Sequence, residues 1–252
     1  MPEILALCGK GGVGKTAISA LLGRAILDGQ GGPVLFVDAD PVGGLTLAIG
    51  ETSVRNLADV RREVLAAARA AQDEGDLVRL ADEVDYLLQA ALLERDEYAV
   101  LSMGKREGRG CNCRVNALLR DAIDLAASPF AVVLIDAEAG IEQINRQVTR
   151  RVQRLVAITD GSVRGANTIS LIAELFGPEK MFALGNRTDD PGVLPDGVAS
   201  LGCFPEDELL RSFDRTGRTL WDLPIESPAR IAAAQLARDL QLVGSGLVGG
   251  PT

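Results

Sequence analysis

The sequence contains no histidine, and this absence narrows the chemistry that the chain can perform. Histidine is the usual general base near neutral pH and the commonest nitrogen ligand of metal ions. Catalysis and metal binding must therefore depend on carboxylates, lysines, thiols and backbone amides.

Long apolar runs are also missing. No stretch approaches the roughly 20 consecutive apolar residues that a membrane-spanning helix requires, because glycine, arginine and aspartate interrupt each candidate. The first residues, Met1-Pro2-Glu3, lead directly into a short apolar run, without the basic segment or the cleavage site of an export signal. We expect a cytoplasmic protein with no membrane partner.

Basic residues are outnumbered, since 26 Lys+Arg against 35 Asp+Glu give a formal net charge of −9. A surface of this sign repels a phosphate backbone, so nucleic acid is not an expected partner. Four cysteines in 252 residues do not form the disulfide framework of a secreted protein, and a reducing cytoplasm keeps them as thiols.

The order of apolar segments predicts an α/β fold with a mostly parallel central sheet and helices on both faces. Short apolar runs alternate with helical stretches, as in βαβ units, and several runs are continuously apolar, as strands buried on both faces require. The predicted strands are 4–8, 34–38, 98–103, 130–136, 153–159, 181–185 and 198–203. The predicted helices are 15–29, 55–73, 77–93, 114–127, 143–151, 165–177, 206–216 and 227–242.

Length and composition indicate one domain over 1–252, because a chain with 47% hydrophobic residues can bury a substantial core. Segment 51–97 is rich in alanine and charged residues and places apolar side chains at helical spacing. We expect a helical insertion over one edge of the sheet. The glycine-rich segment 244–252 is expected to be a flexible tail.

A glycine-rich string at 9–16, Gly-Lys-Gly-Gly-Val-Gly-Lys-Thr, lies directly after the first predicted strand and before the first predicted helix. It matches the P-loop pattern GxxxxGK[ST], in which backbone N–H groups converge on phosphate oxygens at a helix N-terminus. Lys15 would bridge the terminal phosphates and the Thr16 hydroxyl would hold Mg²⁺. The alternative is a glycine-rich turn without a ligand. The predicted nucleotide contacts of the loop are Gly11, Gly12, Val13, Gly14, Lys15, Thr16 and Ala17.

Three aspartates lie at the ends of two predicted strands. Asp38 and Asp40 follow the apolar run of the strand 34–38, and Asp136 ends the strand 130–136. This pattern puts carboxylates at the carboxyl edge of the sheet, beside the phosphate loop. For Asp38 and Asp40, the alternative is a pair of solvated side chains in a turn.

Polar residues also follow the last two predicted strands. Asn186-Arg187 closes the strand 181–185, and Pro205-Glu206-Asp207 follows the strand 198–203. An asparagine amide donates and accepts together, as a purine edge demands. Asparagine after a strand is also an ordinary turn residue.

A Cys-x-Cys pair, Cys111-Asn112-Cys113, lies in a glycine-rich loop beside lysine and arginine, where thiolate character increases. We interpret these thiols as metal ligands. Two thiolates leave a metal undercoordinated, whereas a two-fold dimer would offer four sulfurs to one ion, and such a site suits Zn²⁺, Ni²⁺ or Cu(I). A redox pair and two idle thiols are the alternatives. Cys8 and Cys203 lie in apolar strands and are interpreted as small hydrophobic residues.

The string from Lys10 to Thr16 resembles the deviant Walker A family, which includes Min- and Par-type positioning ATPases, nitrogenase iron protein and metallocentre maturation ATPases. This resemblance implies an ATP hydrolase that uses Mg²⁺ and forms a homodimer on ATP binding. In that dimer Lys10 would reach the partner's nucleotide. The alternative interpretation of Lys10 is a solvated loop lysine. Asp40 would orient the attacking water, Asp38 would act on the Mg²⁺ shell or share that role, and Asp136 would hold the metal through water.

The resemblance also gives the two polar corners a role. In this family the positions of Asn186-Arg187 and Pro205-Glu206-Asp207 contact adenine, so all five residues are predicted nucleotide contacts.

A narrower resemblance rests on Met103-Gly104-Lys105, on 110–116 with its Cys-x-Cys pair, and on 136–140, Asp-Ala-Glu-Ala-Gly. Together with the loop, these segments are similar to the CooC-type ATPases that insert nickel into carbon monoxide dehydrogenase. The resemblance implies Ni²⁺ as the metal and an apo carbon monoxide dehydrogenase or acetyl-CoA synthase as client. One departure is Gln143, where that family often has histidine.

Two other functions are compatible with the loop. A positioning ATPase would need a basic amphipathic tail or a basic stripe, and the last predicted helix has only Arg230 and Arg238. An ATPase that holds an iron–sulfur cluster on the paired thiols is the second alternative.

Overall fold

The computed structural model describes residues 1–40, 43–52, 55–70, 73–104, 121–137 and 151–243. Within these ranges the chain forms an eight-stranded sheet in the order β3-β4-β2-β5-β1-β6-β7-β8. All neighbouring pairs are parallel except β3 with β4. The strands are β1 Glu3–Gly9, β2 Val34–Asp38, β3 Leu92–Glu94, β4 Tyr98–Ser102, β5 Val132–Asp136, β6 Arg154–Thr159, β7 Met181–Asn186 and β8 Ala199–Phe204.

Helices lie on both faces of this sheet, which confirms the predicted α/β class. One face packs against α1 and α7, the other against α3, α4 and α5, and each face carries its own buried apolar cluster. The two clusters exist because the central strands bury side chains on both sides, as β2 and β5 do over their whole length. The helices are α1 Lys15–Asp28, α2 Gly44–Ala48, α3 Leu57–Ala70, α4 Glu74–Gln89, α5 Val163–Phe176, α6 Glu208–Thr216 and α7 Pro228–Asp239.

All seven predicted strands are present, and none of their ends differs by more than two residues. A short strand and a short α-helix were not predicted. The predicted helix 77–93 is wrong at its end, because α4 stops at Gln89 and 92–94 form the antiparallel edge strand β3. Helix α2 was also missed, since five residues carry too little periodicity to be read.

Three predicted segments touch the undescribed parts of the chain. Of the predicted helix 114–127, residues 121–126 are helical and the residues before 121 lie outside the described ranges. The predicted helix 143–151 lies outside the described ranges apart from Arg151, which is not helical. The tail 244–252 lies entirely outside them. That segment 51–97 is an insertion stays a prediction. Its helices α3 and α4 bury Val60, Val64 and Val84 in the apolar cluster on one face of the sheet.

Candidate functional site

The site lies at the carboxyl edge of the sheet, where β1 turns into α1. β1 ends at Gly9, α1 begins at Lys15, and the loop between them borders a cleft of about 370 Å³. Four predicted groups meet there, namely the loop, Asp40, the pair Asn186-Arg187 and residues 205–207, because the parallel strands β1, β2, β7 and β8 end at the same edge. The cleft is lined by Gly11, Gly12, Gly14, Lys15, Thr16, Ala17, Ile18, Asp40, Asn186, Arg187, Phe204, Pro205, Glu206, Asp207, Leu210, Arg211 and Asp214.

Gly14 shows why the loop needs glycine at this position. Its φ of 94° lies in the left-handed region, and a Cβ there would stand 2.3 Å from the Asn186 side-chain nitrogen. Asn186 in turn donates from Nδ2 to the Val13 carbonyl at 2.7 Å. The loop and the end of β7 are therefore locked together, and an alanine at 14 would break the contact.

The two lysines of the loop are held differently. Lys15 is 7% exposed and donates from Nζ to the carbonyl oxygen of Lys10 at 3.1 Å. Lys10 is more open and its Nζ lies 3.2 Å from Oδ2 of Asp160. Lys15 thus lies inside the loop, where a phosphate could replace the carbonyl, whereas Lys10 turns to a neighbouring loop.

Asp136 lies beneath the start of α1. Its Oδ2 accepts a hydrogen bond from the Thr16 hydroxyl at 2.7 Å, and its Oδ1 accepts one from Ser19 at 3.3 Å. Burial raises the pKa of Asp136 to about 6, although the Thr16 hydrogen bond acts in the opposite direction. Hydroxyl and carboxylate oxygens are the ligands that Mg²⁺ prefers, so Thr16 and Asp136 fit this ion.

Asp38 and Asp40 occupy different environments. Asp38 is fully buried, and its Oδ2 accepts hydrogen bonds from the backbone N–H and the hydroxyl of Thr46, both at 2.9 Å. Burial raises the pKa of the Asp38 carboxyl. Asp40 is half-buried and lines the cleft. Of the two, Asp40 is the one that can meet a ligand in the cleft, whereas Asp38 joins β2 to α2.

The predicted adenine contacts reach the cleft with different freedom. Arg187, in the left-handed region at φ 59°, donates to the Gly12 carbonyl at 3.3 Å. Pro205 and Glu206 also line the cleft. The carboxylate of Asp207 caps α6 through the N–H groups of Leu209 and Leu210 and also accepts from Ser227 and Ala229.

The predicted nucleotide contact of Asp207 stays a prediction, and its side chain also has a structural role. Its side chain is 6% exposed and committed to the N-termini of α6 and α7, so it shapes the wall of the cleft by holding these helices.

Sequence reasoning missed several residues of this site. Asp160, the partner of Lys10, directly follows β6, and its position after an apolar run was the one available signal. Phe204, Leu210 and Arg211 line the cleft but belong to ordinary strand and helix patterns. These three could not be separated from core or surface residues by spacing.

The cysteines divide into two groups. Cys8 is completely buried and burial raises its pKa to about 12, which fits the interpretation as a hydrophobic residue. Cys203 is half-buried on β8, and burial, with Asp190 and Asp189 nearby, raises its pKa. The predicted ligands Cys111 and Cys113 lie outside the described residues. Among the residues that are described, no cluster of three or more Cys, Asp or Glu side chains could hold a metal ion.

Comparisons with known proteins agree with this geometry. The family model of the CobQ/CobB/MinD/ParA nucleotide-binding domain matches residues 4–220. An uncharacterised ATP-binding protein of Methanocaldococcus jannaschii is 33% identical over 236 residues, which cover 88% of this chain and 91% of the relative. The carbon monoxide dehydrogenase accessory protein CooC of Rhodospirillum rubrum is 32% identical over 259 residues, covering 95% and 97%.

A solved structure shares the fold. The septum site-determining protein MinD of Pyrococcus horikoshii, complexed with Mg-ADP, superposes with a TM-score of 0.65 over 99% of this chain and 98% of its own, at 19% identity. This likeness concerns the fold alone. In the parts of the chain described by the structure, no helix combines the length and apolarity needed to cross a bilayer.

Proposed function

The chain belongs to the CobQ/CobB/MinD/ParA nucleotide-binding family and is an ATPase, and we propose that it uses ATP hydrolysis to deliver a metal ion to a client metalloenzyme. The observation that carries the proposal is the 32% identity to the CooC accessory protein over 95% of the chain. The Cys111-Asn112-Cys113 segment supports it, because two thiols in an arginine-rich stretch of sequence would supply ligands for such a cargo.

The nucleotide part of the proposal follows from the loop and the edge of the sheet. The triphosphate lies along the N–H groups before α1, with Lys15 leaving the Lys10 carbonyl to bind phosphate oxygens. Thr16 and Asp136 are the residues that would hold Mg²⁺, which supplies charge neutralisation of the phosphates. Asp40, in the cleft, orients the attacking water.

The base would occupy the part of the cleft that follows strands β7 and β8. Asn186, Arg187, Pro205 and Glu206 line it there, and the Asn186 amide reads the purine edge once it exchanges its hydrogen bond with the Val13 carbonyl. Asp207 contributes through α6 and α7, whose N-termini its side chain caps.

The metal part requires two copies of the chain. Lys10 would stabilise the charge that develops on the partner's transferring phosphate, and the paired loops would offer four sulfurs to one divalent cargo ion. Nickel is the proposed cargo by similarity to CooC, with Zn²⁺ as the other ion that fits thiolate ligands. The client would be an apo carbon monoxide dehydrogenase or acetyl-CoA synthase.

Metal analysis of the anaerobically purified protein, with and without an ATP analogue that resists hydrolysis, tests this proposal. We expect one divalent ion per two chains in wild type and in a Cys203→Ser control, and none in the Cys111→Ser, Cys113→Ser variant. Unchanged metal content in the double variant would remove the thiols from the mechanism. A brown protein with a cluster absorption band would instead favour an iron–sulfur function.

A further inference from the structure

The topology of the sheet places Asp160 beside Lys10. Strands β1 and β6 are parallel neighbours, with Gly9 paired to Ile158. Their approach is close, because a Cβ on Gly9 would lie 2.3 Å from the Ile158 carbonyl oxygen. The residues that follow the two strands, Lys10 and Asp160, therefore emerge side by side at the carboxyl edge.

The carboxylate of Asp160 is fixed in place by α5. Its Oδ1 accepts hydrogen bonds from the backbone N–H of Ser162, at 3.1 Å, and from the Ser162 hydroxyl. Ser162 is the N-cap of α5 and accepts from the N–H of Gly165 at 3.1 Å. These contacts leave Oδ2 directed to the ammonium group of Lys10, at 3.2 Å.

Asp160 is ionised at every pH at which the protein would work. The Ser162 hydroxyl lowers the pKa of Asp160 to about 2, with smaller contributions from the Ser162 N–H and from Lys10. The Asp160 carboxylate is therefore charged when it pairs with the Lys10 ammonium in the single protomer. At its other end, the Lys10 carbonyl is held by Lys15 of the same chain.

We propose that Asp160 is a positioning residue that holds Lys10 within its own protomer until a nucleotide-loaded partner replaces the carboxylate with its triphosphate. The inference rests on the proposed function, in which Lys10 acts across a dimer. The ion pair is suited to exchange, since its side chains are 42% and 35% exposed and a solvent-screened pair is weak. Closure of a dimer would break two such pairs, and Asp160 thereby raises the protein concentration at which dimers form.

The Asp160→Asn variant tests this role through the dimer dissociation constant, measured by sedimentation with an ATP analogue that resists hydrolysis. We expect the constant to fall about tenfold, because each of two exposed ion pairs typically contributes a factor of a few. The control is Asp196→Asn, which removes the same charge from an exposed site and should leave the constant within about twofold. Higher salt should shrink the difference between wild type and Asp160→Asn.

A second measurement examines the free protomer. Without nucleotide, acylation of the Lys10 amine, followed by peptide mass spectrometry, should be several-fold faster in Asp160→Asn than in wild type or Asp196→Asn. A wild-type dimer whose constant and Lys10 labelling are both unchanged by Asp160→Asn overturns the role of Asp160 alone. A wild-type protein that stays monomeric with the analogue overturns the proposed function and this inference together.

Discussion

At the scale of single residues, the site concentrates two buried carboxylates next to the phosphate loop. Asp38 and Asp136 are direct neighbours in the register of β2 and β5, and both are at most 1% exposed. Burial raises the pKa of each, since removal from water disfavours the charged form. The free protein thus carries an unfavourable charge that a cation at Thr16 and Asp136 would neutralise.

Asp136 gives a prediction for stability against pH. Its pKa is about 6 in the folded protein, against the ordinary value of 3.8 for an aspartic acid, so between these pH values the folded chain keeps a proton that the unfolded chain has lost. The stability contributed by this residue must fall as pH rises from about 4 to 6. Relative to an Asp136→Asn variant, we expect wild type to lose up to about 3 kcal/mol over this window.

Denaturant unfolding of both proteins in the presence of EDTA and without nucleotide measures this difference. The Asn side chain keeps the size of Asp136 without its charge, so the remaining carboxyl groups cancel to first order. A difference that stays flat, or rises, between pH 4 and pH 6 would show that Asp136 is not desolvated in the free protein.

Much of the site could be predicted at the residue scale, because loop glycines and strand-end carboxylates have meaning at fixed positions. The loop, Asp40 and Asn186 all meet in one cleft. The spacing of residues in the sequence does not predict which partner a side chain bonds once the fold is formed. Asp207 was predicted to contact the nucleotide, and its side chain caps two helices. Asp160 was not predicted to have a role, and it forms an ion pair with Lys10.

At the scale of elements, a buried polar contact joins α2 to the end of β2. Thr46 lies in the five-residue helix α2, is 4% exposed, and gives both its N–H and its hydroxyl to Oδ2 of Asp38. Asp38 also accepts from the N–H of Asp40 at 3.3 Å. The contact therefore connects α2 with the turn that presents Asp40 to the cleft.

Removal of the Thr46 hydroxyl should slow hydrolysis more than it weakens ATP binding. In Thr46→Val the shape is kept but one donor to Asp38 is lost, at a cost of about 1–2 kcal/mol, which corresponds to a kcat roughly 5- to 30-fold lower if it falls on the placement of Asp40. KM for ATP should change by less than about twofold, since Thr46 lies outside the residues that line the cleft.

Thr46→Ser is the matched control, because it retains the hydroxyl and should restore most of kcat. Steady-state ATPase assays on both variants, with their unfolding midpoints measured alongside, separate this effect from loss of fold. A valine variant with wild-type kcat would sink the proposed coupling, and a serine variant as slow as valine would do the same.

Elements were predictable from sequence where burial is two-sided. Strands such as β2 and β5 are continuously apolar, a pattern set by local composition. Strand β3 was mistaken for the end of a helix because its identity comes from pairing with β4, which the local pattern of Leu92-Leu93-Glu94 does not contain. The short helix α2 was missed because it is fixed by the contact between Thr46 and Asp38. These residues lie eight positions apart, so the local periodicity of a helix does not include their contact.

At the scale of the whole molecule, one protomer contains most of the nucleotide cleft, and its Lys10 side chain is paired with a carboxylate of the same protomer. The loop, Asp40 and Asn186 line the cleft, while Lys10 is engaged by Asp160 on the neighbouring loop. In the proposed dimer, the Lys10 side chain of a second copy would complete the nucleotide cleft of the first. The paired Cys111-Asn112-Cys113 segments have the same requirement, since two sulfurs alone do not complete a metal site.

The molecular mass in solution tests the central claim, that two chains meet on ATP, most directly. Sedimentation equilibrium should give a mass near 26.5 kDa for the free and ADP-bound protein and twice that value with a non-hydrolysable ATP analogue. A Lys10→Ala variant should remain close to the mass of one chain under the same conditions, because its dimer lacks the bond from each protomer to the partner's triphosphate. A wild-type protein that stays at the mass of one chain with saturating analogue would contradict the account.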